Sequence, residues 1–188
     1  PNGKKVACIG AGPSSLSCAR ELALQGYEVT VYEANEKAGG MLTYGILPSR
    51  LPQEVVDFDI ETIKQAGVKI VCGHKVEREE LETLRKEYDA VYVGVGLWKA
   101  KEVDVPGTEL AGVENALDYL KAARSGDKDF KVGENVIVIG GGDVAMDCVS
   151  TAKQMGANAV IVYRRTIEEA PANMEEVQSV QKMGIPIF

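Results

Sequence analysis

Short apolar runs alternate along this chain with longer segments in which apolar residues recur every three or four positions. The runs predict buried strands of a parallel sheet, and the helical spacing predicts amphipathic helices between them. This alternation predicts an α/β fold built from βαβ units with right-handed crossovers. The predicted strands are Lys5–Ile9, Tyr27–Glu33, the run GVKIVCG, Tyr88–Gly96, Val136–Ile139, Ala159–Tyr163 and the start of another in GIPIF; the predicted helices are Ser14–Gln25, Gln53–Gln65, Arg78–Lys86, Asn115–Arg124, Asp143–Gln154 and Met174–Lys182.

The segment KAGGMLTYGILPSRLP, residues 37–52, breaks this pattern. It is rich in glycine and proline, and it is too irregular to predict either a strand or a helix. It is also too apolar for a simple linker. A long apolar loop of this kind usually packs on the rest of a domain and serves a site there.

Two glycine-rich turns each follow an apolar run and open a helix. GAGPSS at residues 10–15 fits G-x-G-x-x-small, and GGGDVA at residues 140–145 repeats the pattern with alanine in the third place. The glycines permit a tight turn and close approach of the backbone to a pyrophosphate, which the helix N-terminus attracts. Either turn alone could be a strand–helix connection without a ligand. Two copies, each in the strand–turn–helix context, predict two dinucleotide sites.

The residues that end the second strand of each unit distinguish the two sites. Glu33 lies 23 residues after Gly10, where a carboxylate accepts hydrogen bonds from ribose hydroxyls. Arg164 lies 24 residues after Gly140 and is followed by Arg165. Guanidinium groups favour a 2′-phosphate, although a solvated surface arginine is a competing interpretation of Arg165. The first site is therefore predicted to bind FAD or NAD, and the second NADP.

Two dinucleotide sites in one chain predict a flavoprotein that takes hydride from a nicotinamide. The flavin carries that chemistry, so no catalytic side chain is predicted and none can be assigned from the sequence. His74, the single histidine, is interpreted as an ordinary loop residue.

Composition and charge narrow the partners. The net charge of −7 argues against nucleic acid and anionic membranes, and no apolar run approaches a membrane span. The four cysteines show no C-x-x-C spacing, so no metal or iron–sulfur site is predicted within the chain. Scattered thiols without a disulfide framework are typical of the reducing cytoplasm.

The chain resembles the flavin- and NADPH-binding region of the glutamate synthase small subunit and dihydropyrimidine dehydrogenase family. The resemblance rests on GAGPSSLSCA, GYEVTVYE, GGMLTYGI with RLP, VVDFDIETIKQAGVKI, YDAVYVGVG, VIVIGGGDVAMDC and VYRRTIEEAPA, which follow in order along nearly the whole chain. The runs GAGPSSLSCA, VKIVCG and VGVGL favour the dihydropyrimidine dehydrogenase branch. In that family an NAD(P) domain is inserted into an FAD domain, and both are nucleotide-binding domains of the Rossmann type.

The resemblance implies the cofactors and the residues that contact them. FAD is expected on Gly10, Gly12, Pro13, Ser14, Ser15, Glu33, Gly40, Met41, Leu42, Arg50, Val76 and Gly96. NADPH, with NADH as an open alternative, is expected on Gly140, Gly141, Gly142, Asp143, Val144, Arg164 and Arg165. Electrons would pass to iron–sulfur clusters in a flanking domain or partner subunit, as part of a hetero-oligomer or a longer chain. Two departures, Leu47 for a proline and Ser49 for an aromatic residue, fall in the loop beside Arg50.

The predicted organisation is an N-terminal part of an FAD domain at 1–108, a linker and connecting helix at 109–130, and the first half of an NAD(P) domain at 131–188. Only about three strands fit after residue 131, whereas a doubly wound nucleotide domain has five or six. Both domains are therefore expected to be incomplete in this chain. The competing functions are a thioredoxin-reductase-like flavoprotein, which lacks its C-x-x-C here, and a non-catalytic nucleotide-binding fragment or subunit.

Overall fold

A computed structural model describes residues 1–99, 105–125 and 130–188 of the chain. The chain divides into two compact units, Pro1–Leu97 and Trp98–Phe188. Each unit has its own sheet and its own buried core. The domain bounds 1–108, 109–130 and 131–188 stay predictions about the domains of a larger enzyme.

The first unit is a four-stranded parallel sheet with helices between its strands. Its strands are β1 (Lys5–Ile9), β2 (Glu28–Tyr32), β3 (Lys69–Val71) and β4 (Ala90–Val93). Their order in the sheet is β3-β2-β1-β4. The strand order therefore runs outward from β1 to β3 on one side and then reverses, with β4 added on the other side of β1. In open α/β sheets, ligands bind outside the carboxyl ends of the strands at such a reversal.

Four helices accompany this sheet: α1 (Pro13–Leu24), α2 (Met41–Tyr44), α3 (Gln53–Gln65) and α4 (Arg78–Glu87). Strand β1 does not alternate between buried and exposed side chains: Val6, Ala7, Cys8 and Ile9 are all buried. That is the signature of a strand covered on both faces. The core beneath it takes Val29 and Val31 of β2 and residues of α1 and α3.

The second unit is built around the parallel pair β5 (Asn135–Ile139) and β6 (Asn158–Val162). The helices α5 (Ala116–Arg124), α6 (Asp143–Gln154) and α7 (Met174–Lys182) belong to the same unit. Ile187 makes a parallel bridge to Ile161, so the last residues begin a third strand beside β6 as the apolar run GIPIF predicted. Buried residues of α6, β6 and α7, including Met146, Val149, Ile161 and Val177, form the core.

Two short elements were missed by the sequence analysis. Residues 37–52 were expected to contain no helix, but Met41–Tyr44 form the single turn α2. Its four residues are too few to show a helical period, and its N-cap, Gly40, has φ +57°. A 3-10 turn, Ile167–Glu169, was also missed for the same reason of length. Across residues 1–99, 105–125 and 130–188, none of the helices combines the length and apolar character that crossing a membrane requires.

Candidate functional site

The first glycine turn connects the carboxyl end of β1 to the start of α1. Gly10 has φ +90°, and a Cβ added there would lie 2.7 Å from the carbonyl oxygen of Gly94. Only glycine fits this position, because a side chain would be strained and would clash with backbone that cannot move aside. Gly12 is the N-cap of α1 and Pro13 its first residue, so the leading N–H groups of the helix have no side-chain cap. Such groups are free to bind an anion.

Ser15 occupies the third small position of the turn. Its side chain is fully buried against Gly94, where an added Cβ would collide with the Ser15 hydroxyl. Among the described residues, this hydroxyl has no hydrogen-bond partner. A buried polar atom without a partner is costly and is commonly satisfied by a ligand or an ordered water. The turn therefore carries both a tight cradle and an unused polar group.

The apolar loop that follows β2 packs directly on this turn. The Gly39 N–H donates to the carbonyl oxygen of Ala11 at 2.8 Å. A Cβ on Gly40 would lie 2.8 Å from the Cα of Gly12, so the two glycines allow the loop and the turn to touch. Met41 and Leu42, both half-buried, then begin α2 beside the turn. The expectation that residues 37–52 pack on the rest of the domain is confirmed.

Glu33, which follows the end of β2, is held by three hydrogen bonds. Its Oε2 accepts from the Ala11 N–H at 2.7 Å, and its Oε1 accepts from the N–H and side-chain amide of Asn35 at 2.8 and 2.7 Å. The side chain is 5% exposed. The carboxylate thus fastens the glycine turn to the end of β2, and a carboxylate with three accepted bonds keeps a lone pair for one more donor.

The segment after β3 joins this edge through backbone hydrogen bonds. The N–H groups of Gly73 and His74 donate to the carbonyl oxygens of Asn35 and Glu33, both at 2.8 Å. His74 Nε2 lies 2.7 Å from Glu80 Oε1 in α4, and its ring lies 5.2 Å from that of Tyr32. Val76, two residues further on, is half-buried. His74 is therefore a loop residue that anchors the segment, consistent with its interpretation from the sequence.

Tyr92 of β4 reaches over the start of α1. Its hydroxyl lies 2.5 Å from the Ser14 hydroxyl, and its ring packs against Gly94. Gly96 follows in a left-handed conformation with φ +68° and lies exposed. Tyr92 was missed by the sequence analysis, because an aromatic residue in a strand gives no sign of where its hydroxyl ends. Arg50 lies exposed between α2 and α3.

The second glycine turn connects β5 to α6. The Gly140 N–H donates to the carbonyl oxygen of Val162 at 3.0 Å, and Gly140 has φ +143°. Gly142 is the N-cap of α6, which Asp143 and Val144 begin. Again no side chain caps the first N–H groups of the helix. The structure thus brings the predicted residues of this turn together at the carboxyl end of β5.

A wall of residues that follow β6 lies against the second turn. The Tyr163 ring packs over Gly141, where an added Cβ would lie 2.8–2.9 Å from three of the ring carbons. The Ala172 N–H donates to the Gly141 carbonyl oxygen at 3.0 Å, and the Asn173 N–H donates to Asp143 Oδ1 at 2.8 Å. The Asp143 side chain therefore binds the segment after β6, while the Asp143 backbone remains part of the glycine turn. Sequence spacing could not show these contacts, since they join positions 22 to 31 residues apart.

Arg164 and Arg165 stand exposed at the end of β6. In the described part of the chain, no carboxylate forms an ion pair with either guanidinium. Beside them lies a cleft of about 650 Å³. Its lining includes Gly141, Tyr163, Arg165 and Thr166. Two exposed guanidinium groups without an ion-pair partner in the described ranges, one of which lines a cleft that also reaches Gly141, are suited to bind an anionic group.

The cysteines form no disulfide, and two of them are deeply buried. All four are free, and burial raises the pKa of both Cys8 and Cys148 to about 12. Cys148 lies in α6, 3.8 Å from the carbonyl oxygen of Ala116, which can accept its S–H. A reactive thiol needs a lowered pKa and access to solvent, and these two have neither. The thioredoxin-reductase-like alternative therefore has no support at this helix.

Comparison with known proteins identifies close relatives over nearly the whole chain. The NAD-dependent dihydropyrimidine dehydrogenase subunit PreT of Escherichia coli is 43% identical over 186 residues, which cover 98% of this chain and 45% of PreT. The glutamate synthase (NADPH) small chain of Azospirillum brasilense is 38% identical over 196 residues, covering 97% of this chain and 41% of that protein. The chain thus spans less than half the length of these curated relatives. They come from the two groups that the sequence motifs resemble.

A solved structure and a family profile agree with the fold. FprA of Mycobacterium tuberculosis in complex with NADPH has a TM-score of 0.79 at 20% identity, over 96% of this chain and 48% of FprA. The profile of the pyridine nucleotide-disulphide oxidoreductases matches residues 4–187. The α/β fold class predicted from the sequence is therefore confirmed. The chain belongs to the pyridine nucleotide-disulphide oxidoreductase family.

Proposed function

We propose that this chain is the dinucleotide-binding part of an NADPH-dependent flavin oxidoreductase. In this proposal hydride passes from NADPH to FAD, and electrons pass onward to iron–sulfur clusters of a flanking domain or partner subunit. The observation that carries it is that the chain contains two strand–turn–helix units, and that the residues following the second strand carry opposite charge in the two units. One end carries the buried carboxylate of Glu33, and the other carries Arg164 and Arg165.

The first turn fits a flavin dinucleotide. Gly10 and Gly40 lie where a Cβ would clash with neighbouring backbone, and the space beside Gly12 is open, which leaves room for a pyrophosphate against the start of α1. Ser14 and the buried Ser15 hydroxyl would offer hydrogen bonds there, and Glu33 would accept from the ribose hydroxyls of the adenosine half. Bound FAD would supply the hydride acceptor and the one-electron chemistry, which side chains cannot provide.

The remaining predicted residues of this site have supporting roles in the proposal. The segment that carries Val76 is hydrogen-bonded to the residues around Glu33, which favours a place beside the adenine. Met41 and Leu42 in α2 would border the isoalloxazine side of the site, together with Arg50 and Gly96. These assignments rest on the family resemblance and on the packing of the loop against the turn.

The second turn fits a nicotinamide dinucleotide with a 2′-phosphate. Gly140, Gly141, Gly142 and the backbone of Asp143 and Val144 would hold the pyrophosphate at the start of α6. Arg164 and Arg165 would bind the 2′-phosphate, because a guanidinium matches its oxygens in a bidentate geometry. The relatives' names divide between NAD and NADPH, and the arginine pair is the reason to place this chain with NADPH.

The acceptor and the partners follow from the relatives. PreT is named as a subunit and the Azospirillum protein as a small chain, so we place this chain in a larger assembly or a longer polypeptide. The iron–sulfur acceptor rests on the resemblance described above. Four free thiols without a disulfide framework favour a reducing compartment, and we assign the cytoplasm.

The test is the visible absorption spectrum of the purified full-length protein, before and after anaerobic addition of NADPH or NADH. A flavin spectrum that bleaches at lower NADPH than NADH concentration is expected. A flavin that bleaches only with NADH would overturn the nucleotide preference. Absence of flavin, with no uptake of added FAD, would instead favour the competing function of a non-catalytic nucleotide-binding subunit.

A further inference from the structure

The segment that carries Arg164 and Arg165 is fastened to the second turn at its far end. It runs from the end of β6 to Asn173, the N-cap of α7. The Asn173 side chain accepts from the Glu175 N–H at 3.2 Å and so caps α7, while its backbone N–H donates to Asp143 Oδ1 at 2.8 Å. A single carboxylate on the first residue of α6 thus joins the starts of two helices.

Additional contacts stiffen the interior of this segment. The N–H and hydroxyl of Thr166 donate to Glu169 Oε2 at 3.3 and 3.2 Å, in a reciprocal capping box. The Tyr163 hydroxyl donates to the Glu169 carbonyl oxygen at 3.3 Å, and the same ring covers Gly141. The segment, residues 163–173, is therefore a braced strap that contacts the glycine turn at both of its ends.

The position of the Asp143 carboxylate is unusual for a direct phosphate ligand. At the first residue of α6 it complements the helix dipole, but it would repel the pyrophosphate expected at the same helix end. Its hydrogen bond to Asn173 gives the charge a different role. It holds the strap, and with it the two arginines, in place before any nucleotide binds.

We infer that Asp143 is a positioning residue that sets the preference for the 2′-phosphorylated dinucleotide by fixing the arginine-bearing strap. The inference rests on the proposed function, since it assumes that Arg164 and Arg165 bind the 2′-phosphate. Without the Asp143 bond, binding must also order the strap, and that cost weakens a complex. The cost falls on NADPH, which uses the arginines, and spares NADH, which has no 2′-phosphate.

The test is direct binding of NADPH and NADH by calorimetry to the full-length flavoprotein, whose flavin is reduced beforehand under anaerobic conditions so that no hydride passes during the titration. The variants are Asp143→Ala and Asp143→Asn. The Asn variant keeps an oxygen that accepts from Asn173 but removes the charge. The Ala variant is expected to bind NADPH about tenfold more weakly, the lower range for a hydrogen bond to a charged group, with NADH binding changed less than about twofold. The Asn variant is expected to recover most of the NADPH affinity.

A matched control and a second readout separate positioning from loss of structure. Glu175→Ala removes the same charge two residues beyond Asn173 in the first turn of α7, and it should leave the NADPH to NADH affinity ratio unchanged. Hydrogen exchange of the Asn173 amide should accelerate in the Ala variant but not in the Asn variant. This exchange is measured without nucleotide, so it reports on the strap even if a variant binds nothing.

The outcomes that overturn the inference are distinct. Equal weakening of NADPH and NADH in the Ala variant would make Asp143 a direct ligand or a residue of the turn itself. Tighter binding of both dinucleotides in the Ala and Asn variants would mean that the Asp143 charge only repels the pyrophosphate and does not position the strap. A wild-type protein with equal affinity for NADPH and NADH would overturn the proposed preference itself, whereas a clear wild-type preference that survives in the Ala variant would overturn this inference alone.

Discussion

The three hydrogen bonds to Glu33 allow a quantitative test of the first site through Glu33→Gln. Glutamine keeps the size of the side chain, but it replaces one acceptor oxygen with an NH₂ group. If the remaining oxygen still accepts from Asn35, the NH₂ group faces the Ala11 N–H, two donors 2.7 Å apart in the present geometry. The Ala11 N–H then has no acceptor, and because Ala11 is fully buried, water cannot take the place of the lost carboxylate oxygen.

The size of the effect follows from that lost bond. A hydrogen bond to a charged group contributes about 1.5–3 kcal/mol, and an unsatisfied buried donor costs a similar amount. Both values describe the same lost hydrogen bond, so the two free energies are not added. The expected decrease in the free energy of unfolding of the first unit is therefore about 2–3 kcal/mol. The matched control, Glu36→Gln, changes an exposed carboxylate three residues away and should stay within about 0.5 kcal/mol of wild type.

Two measurements on the same variants check this prediction. Urea unfolding followed by circular dichroism gives the stability, and hydrogen exchange of the Ala11 amide locates the change. FAD affinity should fall as well, because the turn is no longer fastened to the end of β2 and one ribose acceptor is lost. An Ala11 amide that stays protected in Glu33→Gln, with an unfolding midpoint equal to that of Glu36→Gln, would refute the reasoning.

Three further predictions concern the turns and the core. Gly10→Ala should abolish FAD binding, because φ +90° and a Cβ 2.7 Å from the Gly94 oxygen force the turn open; flavin content after purification checks this, and normal content would contradict it. Replacing Arg164 and Arg165 together by alanine should weaken NADPH binding by about 2–3 kcal/mol and leave NADH binding within about twofold, as measured by calorimetry on the flavin-reduced protein at fixed salt; equal losses would contradict it. Burial raises the pKa of Cys148 from 9.0 to about 12, so the unfolded chain loses this proton at a lower pH than the folded chain, and the free energy of unfolding should fall as pH rises from 9 to 12. Urea unfolding should show a shallower fall with pH in Cys148→Ala, and the same fall in both proteins would contradict the raised pKa of Cys148.

Local pattern alone determined most of the first unit. Strands β1 and β2, helix α1 and the turn between them were predicted within two residues, because a continuous apolar run, a glycine turn and a helical period act over neighbouring residues. The same holds for β5, α6 and β6 in the second unit. Both glycine turns and the residues that end the second strands, Glu33 and Arg164, could therefore be identified by spacing.

Tertiary structure decided how those residues are used. Glu33 accepts from the Ala11 N–H, Gly40 touches Gly12, and Tyr92 reaches Ser14. Each contact joins segments that lie apart in sequence, and each depends on strand order and on the direction of one side chain. Neither property leaves a periodic signal along the chain.

Asp143 shows the limit most clearly. Its place in the turn marked it as a cofactor residue, yet its carboxylate bonds to the backbone of Asn173, 30 residues away. The sequence by itself determined that two glycine turns join a strand to a helix and which charged residues follow the second strand of each unit, since those features depend on local order. Which groups remain free to meet a ligand depends on hydrogen bonds between distant segments, and only the folded chain forms those.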